Sequence, residues 1–181
     1  MLKPRYIWLG VAAVSAGLVA ASLVLTAWLK LNPCPLCIFQ RLLFMILSVL
    51  ALAAFLRSRR SAGRATGVLA LLTALSGVGV AAYQVWLQAQ PAAMFTCGGA
   101  DPNLIERVVD WLGQRVPSLF LATGICGDKE LVILGYSLAV WSLAAFVASV
   151  VASVWALLQG RRRLQRMWPF YTEITGSQGH K

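Results

Sequence analysis

The sequence is poor in the residues that most enzymes use for acid–base chemistry and metal binding. Its 181 residues include one histidine, His180, and only six acidic residues. Haem is not expected as a cofactor, because that histidine lies in the C-terminal tail. No acidic residue lies inside a long apolar segment, which argues against an ion-coupled transporter, since transporters of that kind normally need an intramembrane carboxylate. Four cysteines remain, so the chemistry of the chain is expected to be sulfur chemistry.

Charged residues of any kind are also scarce. They make up 12% of the chain, against 59% hydrophobic residues, and a balance of this kind is typical of a membrane protein. Four apolar segments, at about 6–29, 38–56, 65–87 and 131–158, are long enough to cross a hydrocarbon core of about 30 Å. The first is too long for the apolar region of a signal peptide. We expect an all-α membrane protein: one domain over residues 1–181, folded as a four-helix transmembrane bundle in a lipid bilayer.

The positive charge lies on one side of the predicted bundle. Eleven of the sixteen cations flank the spans there: Lys3, Arg5, Arg57, Arg59, Arg60, Arg64, Arg161, Arg162, Arg163, Arg166 and Lys181. The only acidic residue on that side is Glu173, whereas five cations and five acids lie on the other side. The positive-inside rule therefore predicts that both termini, the loop 57–64 and the tail 159–181 are cytoplasmic. Topology explains these basic residues, so a nucleic-acid partner is not expected.

The loops of about 30–37 and 88–130 then lie outside the cytoplasm. The second contains Asp101-Pro102-Asn103, a helix start, followed by about a dozen residues with one apolar face. Such a helix is too short to span and is suited to lying on the membrane surface. We expect it to hold the loop close to the first outer loop.

Small residues recur at every fourth position in two spans. In a membrane bundle this spacing lets helices approach closely. We therefore expect these stripes to form helix contacts: Ala13, Gly17 and Ala21 in the first span, and Ala144, Ala148, Ala152 and Ala156 in the last, with Ala145, Ser149 and Ser153 beside them.

A Cys-x-x-Cys pair, Cys34 and Cys37, stands at the start of the second span. Pro35 suits the first turn of a helix, where its missing N–H costs nothing. Cys34 would then lie near the N-cap, where the unpaired N–H groups and the helix dipole stabilise a thiolate, the form that performs disulfide exchange. Arg41 lies one turn beyond Cys37 on the same face and could hold an anion or an electron-rich ring. A structural disulfide or half of a metal site remains an alternative for the pair, and a snorkelling interfacial side chain for Arg41.

All four cysteines fall in the two outer loops. Cys97 and Cys126 lie in the second, each next to glycine, which predicts a mobile backbone around both sulfurs. The outer side is expected to be an oxidising compartment, which favours disulfides over reduced thiols for these four cysteines. A tetrathiolate zinc or iron–sulfur site is the rival use of four cysteines, but it usually shows two close pairs. We expect no metal site. Two other classes stay open: a membrane scaffold with purely structural disulfides, and a small transporter.

These motifs together resemble the disulfide bond formation protein B (DsbB) family of bacterial inner-membrane thiol oxidases, over most of the chain. The resemblance rests on four stretches: 33–38 with Arg41, Leu87-Gln88 with Pro91 and 95–97, Val116-Pro117 with 120–126, and Leu134-Gly135 with Trp141. The order and spacing of all four cysteines fit. Two positions depart from the family pattern, since Gln84 stands where some members carry histidine and Pro35 where an aliphatic residue stands between the cysteines.

The resemblance implies an enzyme of the inner membrane that reoxidises a periplasmic DsbA-like thioredoxin-fold oxidase and passes the electrons to ubiquinone or menaquinone. It implies that the Cys97–Cys126 disulfide faces the partner and that Cys34–Cys37 faces the quinone. Arg41 is then a quinone contact, with Cys37 and Gln88 as the other cofactor-binding residues. The outer loops would be periplasmic.

Overall fold

A computed structural model describes residues 4–30, 32–58, 61–90, 104–122, 124, 132–133 and 135–176. Its helices are α1 (Pro4–Leu29), α2 (Pro35–Leu56), α3 (Ser61–Ala89), α4 (Leu104–Arg115), α5 (Pro117–Phe120) and α6 (Leu138–Gly176). Two short antiparallel strands, β1 (Val132–Ile133) and β2 (Tyr136–Ser137), precede α6. Within the described residues, α1, α2, α3 and the first part of α6 are long and apolar enough to cross a membrane. The predicted four-helix membrane bundle is thus confirmed.

The four long helices pack in a ring, in which α1 contacts α2 and α6, and α3 contacts α2 and α6. The main core between them contains Trp8 and Val11 of α1, large apolar residues of α2, Phe146 of α6 and alanines of α3. At its centre the rings of Phe44 and Phe146 stack with centroids 3.9 Å apart. A Cβ atom at Gly77 would overlap the ring of Phe146, so the glycine provides the space that the ring fills. Close fit therefore holds the middle of the bundle together.

The small-residue stripes predicted as helix contacts are mostly on the outer surface. Ala13, Gly17 and Ala21 are exposed, as are Ala144 and Ala148. The buried face of α1 uses other positions: Trp8, Val11, Ala12 and Ser15. The buried face of α6 includes Ala156 of the predicted stripe and the neighbouring Ser149 and Ser153, together with Phe146. The prediction was wrong for α1 and for the first part of the α6 stripe, and it holds for Ala152 and Ala156, which lie in or against the core. A membrane helix is apolar on every side, so spacing alone does not reveal which face meets a neighbour.

The chain reaches α6 through a tight hairpin rather than a continuous helix. Val132 pairs with Ser137 and Ile133 with Tyr136, and Gly135 in the connection has φ +85°, which glycine adopts readily. The last long helix therefore begins at Leu138, seven residues later than the predicted fourth span. At its other end it continues to Gly176, through much of the predicted tail.

The end of the bundle at which Cys34 lies is called the cysteine end below. Helix α4 lies here against α2, and its Val109 is buried in a cluster with Ile38 of α2 and Phe120 of α5. The predicted helix of the second outer loop is present and close to the start of α2. On its other faces Leu104, Val108 and Trp111 are exposed, and the guanidinium of Arg115 lies 4.1 Å from the centre of the Trp111 ring. That this helix rests on the membrane surface stays a prediction.

Candidate functional site

The site is built around the first turn of α2. Cys34 is the N-cap, with an extended backbone, and its sulfur accepts a hydrogen bond from the N–H of Cys37 at 3.3 Å. Pro35 occupies the first helical position, where no N–H is needed. The predicted N-cap position of Cys34 is confirmed. A helix N-terminus at a sulfur stabilises negative charge there, so local sequence alone prepares this position for a thiolate.

The two sulfurs of the Cys-x-x-Cys pair lie side by side. Their Sγ atoms are 2.7 Å apart, so conversion between dithiol and disulfide needs little movement of the backbone. Cys34 is 4% exposed and packs with Leu36 and Leu87, whereas Cys37 is partly exposed. The second sulfur is therefore the more accessible of the two from the surface of the bundle.

Two glutamines inside the bundle lie close to the sulfurs. Nε2 of Gln84 on α3 donates to the sulfur of Cys37 at 3.0 Å and lies 3.5 Å from that of Cys34. Nε2 of Gln40 on α2 donates in turn to Oε1 of Gln84 at 2.6 Å. The sequence interpretation noted Gln84 only as a departure from the family pattern and missed Gln40 altogether. The signal was present, since a polar side chain within a membrane span is expensive and marks a functional position.

Arg41 is buried inside the protein, with 6% of its surface exposed. Its Nε and Nη2 donate to Oγ of Ser22 at 3.1 and 2.9 Å, and Nη2 also donates to Oγ1 of Thr26 at 3.0 Å. Nη1 donates to the carbonyl of Leu119 in α5 at 2.8 Å. This guanidinium is not a snorkelling side chain. It fastens α1, α2 and the second outer loop to one another beside the cysteine pair.

Gln88 lies one turn beyond Gln84 on α3, at the cysteine end. Its Oε1 accepts a hydrogen bond from the hydroxyl of Ser137, the last residue before α6, at 2.7 Å. This contact joins the end of α3 to the start of α6. Its expected role in cofactor binding stays a prediction.

The segment that follows α5 also contacts the segment before α2 through its backbone. The N–H of Gly124 donates to the carbonyl of Pro33 at 3.3 Å. A Cβ atom at Gly124 would overlap the carbonyl oxygen of Asn32 and come within 3.4 Å of the N of Cys34. Only glycine allows this approach. Cys97 and Cys126 themselves lie outside the described residues, so the predictions made for them stay predictions.

Comparison with known proteins identifies the family. The family model for disulfide bond formation protein DsbB matches residues 4–156. This chain belongs to the DsbB family. It is 48% identical over 139 residues to a disulfide bond formation protein B from Dechloromonas aromatica (strain RCB), which covers 76% of this chain and 82% of the relative. A relative of the same name from Azoarcus sp. (strain BH72) is 41% identical over 87% of this chain and 94% of its own length.

A third protein named disulfide bond formation protein B, from Xanthomonas campestris pv. campestris (strain 8004), is 37% identical over 80% of this chain and 83% of its own length. The resemblance inferred from the cysteine motifs is confirmed. Membership supports a disulfide-generating role and makes the chain a multi-pass membrane thiol oxidoreductase.

Proposed function

We propose that this protein reoxidises a DsbA-like dithiol oxidase of the periplasm and passes the electrons through two cysteine pairs to a membrane quinone. The observation that carries the proposal is the pair of adjacent sulfurs at the N-terminus of a membrane-length helix, in backbone contact with the loop segment that leads to Cys126. Family membership supplies the disulfide chemistry.

The first exchange takes place between the partner and the Cys97–Cys126 disulfide. A thiolate of the partner attacks Cys97, and the Cys126 sulfur leaves as a thiolate. The partner's second thiolate then attacks the mixed disulfide and releases Cys97. In sum the partner dithiol loses two electrons and two protons, which the cysteine pair of this chain gains.

The second exchange carries the electrons inward. The Cys126 thiolate attacks Cys34, the Cys34–Cys37 bond breaks, and Cys37 is left as a thiolate. Cys97 then attacks Cys126, which restores the outer disulfide and leaves a reduced Cys34–Cys37 pair. The docking of Gly124 supports this step, because Cys126 follows it by two residues and two residues span at most about 7 Å.

The residues around Cys37 suit a quinone, which has two carbonyl acceptors on a flat apolar ring. An N–H donor comes from the buried Arg41 guanidinium, and Leu36 and Leu87 supply apolar surface near the sulfurs. When bound, a quinone accepts two electrons and two protons. Cys37 would lie beside the quinone and donate the electrons, while Cys34 would form the disulfide with Cys37. Arg41 would stabilise the negative charge that develops on the quinone. Gln88 is the remaining candidate contact.

A thiol count tests the function directly. The purified full-length protein is reduced anaerobically, the reductant is removed, and quinone is added. The chain should lose its four free thiols as disulfides form, and a Cys37→Ser variant should not re-form the inner disulfide. Thiols that persist in the wild-type protein after quinone addition would favour the alternative, a membrane scaffold with purely structural disulfides.

The order of exchange can be tested by trapping. A mixed disulfide persists when the resolving thiol is missing. A Cys126→Ser variant should therefore accumulate a covalent complex with the periplasmic oxidase through Cys97, and Cys97→Ser should accumulate much less. Preferential trapping through Cys126 would reverse the assigned roles.

In this proposal the cysteine end faces the periplasm across the inner membrane. The support is the charge asymmetry, with eleven cations on the other side of the bundle. Cysteines introduced at Ser61 and Gln178 should be protected from an impermeant thiol reagent in intact cells, while one at Asn103 should react. Labelling in the opposite sense would contradict the orientation.

A further inference from the structure

A continuous chain of hydrogen bonds crosses three helices and ends on the cysteine pair. It begins at Ser142 on α6, whose hydroxyl lies 2.5 Å from Oε1 of Gln40 on α2. Gln40 donates to Gln84 on α3 at 2.6 Å, and Gln84 donates to Cys37 at 3.0 Å. The sulfur of Cys34 is more distant from the same amide, at 3.5 Å.

The chemistry of the sulfur sets the direction of every bond in this chain. A thiolate can only accept, so the NH₂ group of Gln84 must face Cys37. The carbonyl oxygen of Gln84 then faces Gln40 and requires the NH₂ group of Gln40. The carbonyl oxygen of Gln40 in turn faces Ser142 and requires its hydroxyl proton. That hydroxyl has one competing acceptor, the carbonyl of Ala139 at 2.9 Å.

Burial makes this orientation hard to change. Gln84 is 2% exposed, and Gln40 is buried as well. An amide rotated by 180° would place its oxygen against the sulfur and its NH₂ group against that of Gln40, with little water available to compensate. A buried polar group without a partner is costly, so each amide holds the next in place.

We propose that Gln84 is a positioning residue that holds the Cys37 sulfur and stabilises its thiolate form, and that Gln40 and Ser142 keep the Gln84 amide in the orientation this requires. The inference rests on the proposed function only in taking Cys37 as the sulfur that passes electrons to the quinone. Hydrogen bonds to a charged acceptor are stronger than neutral ones. The amide itself does not titrate.

Stabilising the thiolate stabilises the reduced pair relative to its disulfide, which makes the pair a stronger oxidant. The test is therefore the redox equilibrium of Cys34–Cys37 in full-length protein carrying Cys97→Ser and Cys126→Ser. The pair is equilibrated with glutathione, and the reduced fraction is read by alkylation and mass. Two glutathione molecules give up two electrons and two protons to the disulfide and form one glutathione disulfide.

The expected effects decrease along the hydrogen-bond chain with distance from Cys37. Gln84→Met keeps the length of the side chain but removes the amide, and the equilibrium constant for reduction should fall about tenfold, equivalent to about 30 mV. Gln40→Met lets the Gln84 amide rotate and should reduce the constant about threefold, and Ser142→Ala about twofold. Ser149→Ala is the matched control, because Ser149 lies on the same helix and donates only to its own backbone, at Ala145. It should leave the constant unchanged.

Loss of packing alone would lower the unfolding temperature without producing this graded series. Should Gln84→Met fail to fold, Gln40→Met and Ser142→Ala still carry the test. Equal constants in the wild-type and variant pairs would overturn the proposal, as would an effect of Ser149→Ala as large as that of Gln40→Met. The equilibrium contains neither quinone nor partner, so a protein that fails the thiol count after quinone addition can still show the series.

Discussion

The bundle is packed in one way at its middle and in another at its cysteine end. At the middle most contacts are apolar and depend on shape, as where Gly77 makes room for the stacked rings of Phe44 and Phe146. At the cysteine end, buried polar side chains on neighbouring helices bond to one another, with Gln84 and Arg41 at the centres of two networks.

This difference shows how a membrane protein can place a reactive site. Apolar side chains gain little free energy by contacting each other instead of lipid. Packing at the middle therefore sets the rotation of each helix about its axis only through close fit. Polar groups in an apolar surrounding need partners, and each bond across helices fixes a relative rotation. The cysteine pair lies where orientation is set by bonds, and substitutions at the two regions should therefore have different consequences.

Substitution of Arg41 should have the largest effect. Arg41→Met removes the charge beside Cys37 and also leaves Ser22, Thr26 and the Leu119 carbonyl without their donor. The kcat/KM for quinone should fall about a hundredfold, as expected for loss of a preorganised donor. Steady-state quinone reduction measures this.

The exposed Arg64, in the first turns of α3, provides a matched control for Arg41. Arg64→Met should leave the kinetics unchanged. Arg41→Lys should lie between wild type and Arg41→Met, because lysine keeps the charge but lacks the planar fork that reaches several acceptors. Unchanged quinone kinetics in Arg41→Met would mean that Arg41 has a structural role only, in its contact with the Leu119 carbonyl.

Gly124→Ala tests the contact between the two loops. The added methyl group would overlap the carbonyl oxygen of Asn32 and push the segment before Cys126 away from Cys34. A displacement of this kind should slow exchange between the two cysteine pairs about tenfold, while trapping of the partner by Cys97 continues. Rapid mixing with the reduced partner, followed by acid quenching and thiol mapping, separates the two steps.

Gly17 serves as the comparison for Gly124, because a Cβ atom there meets nothing within 4 Å. Gly17→Ala should exchange at the wild-type rate. Wild-type exchange in Gly124→Ala as well would show that the loop contact does not limit transfer.

Gly77→Ala tests the middle of the bundle. The methyl group must displace the ring of Phe146, and overpacking of this kind costs about 1–3 kcal/mol. We expect a lower midpoint of thermal unfolding with wild-type quinone kinetics below that midpoint. Gly79→Ala, two residues along the same helix and facing open space, should leave the midpoint unchanged. Equal midpoints for both variants would mean that the stacked rings of Phe44 and Phe146 can move to accommodate the methyl group without loss of stability.

A pair of serines gives the smallest and most direct comparison. Ser48, near the middle, donates to the carbonyl of Ala12 at 3.1 Å, whereas Ser22 accepts two bonds from Arg41. Ser48→Ala should cost about 0.6 kcal/mol, the average for hydrogen bonds between membrane helices. Ser22→Ala should cost more and should also weaken quinone kinetics. Unfolding titrations in mixed micelles measure both, and equal costs would argue against a special role for the cysteine end.

Features that depend on neighbouring residues can be predicted from the sequence. Four apolar segments of sufficient length predict four membrane helices, because hydropathy is summed along the chain. Pro35 after Cys34 predicts a helix capped by the sulfur, because capping involves only the first turn. The cysteine pattern predicts the family, since the chemistry requires those residues in that order.

Which polar side chains meet depends on how the helices are packed and cannot be predicted from the sequence. Gln40, Gln84 and Ser142 are separated by dozens of residues and join only when three helices take one particular rotation. The same rotation turns Ala13 and Ala144 outward and brings Arg41 to Ser22. The hairpin before α6 likewise depends on a backbone turn at Gly135, and hydropathy does not predict this turn. Rotations of uniformly apolar helices are set by long-range fit and by a few buried hydrogen bonds, and neither is encoded in local pattern.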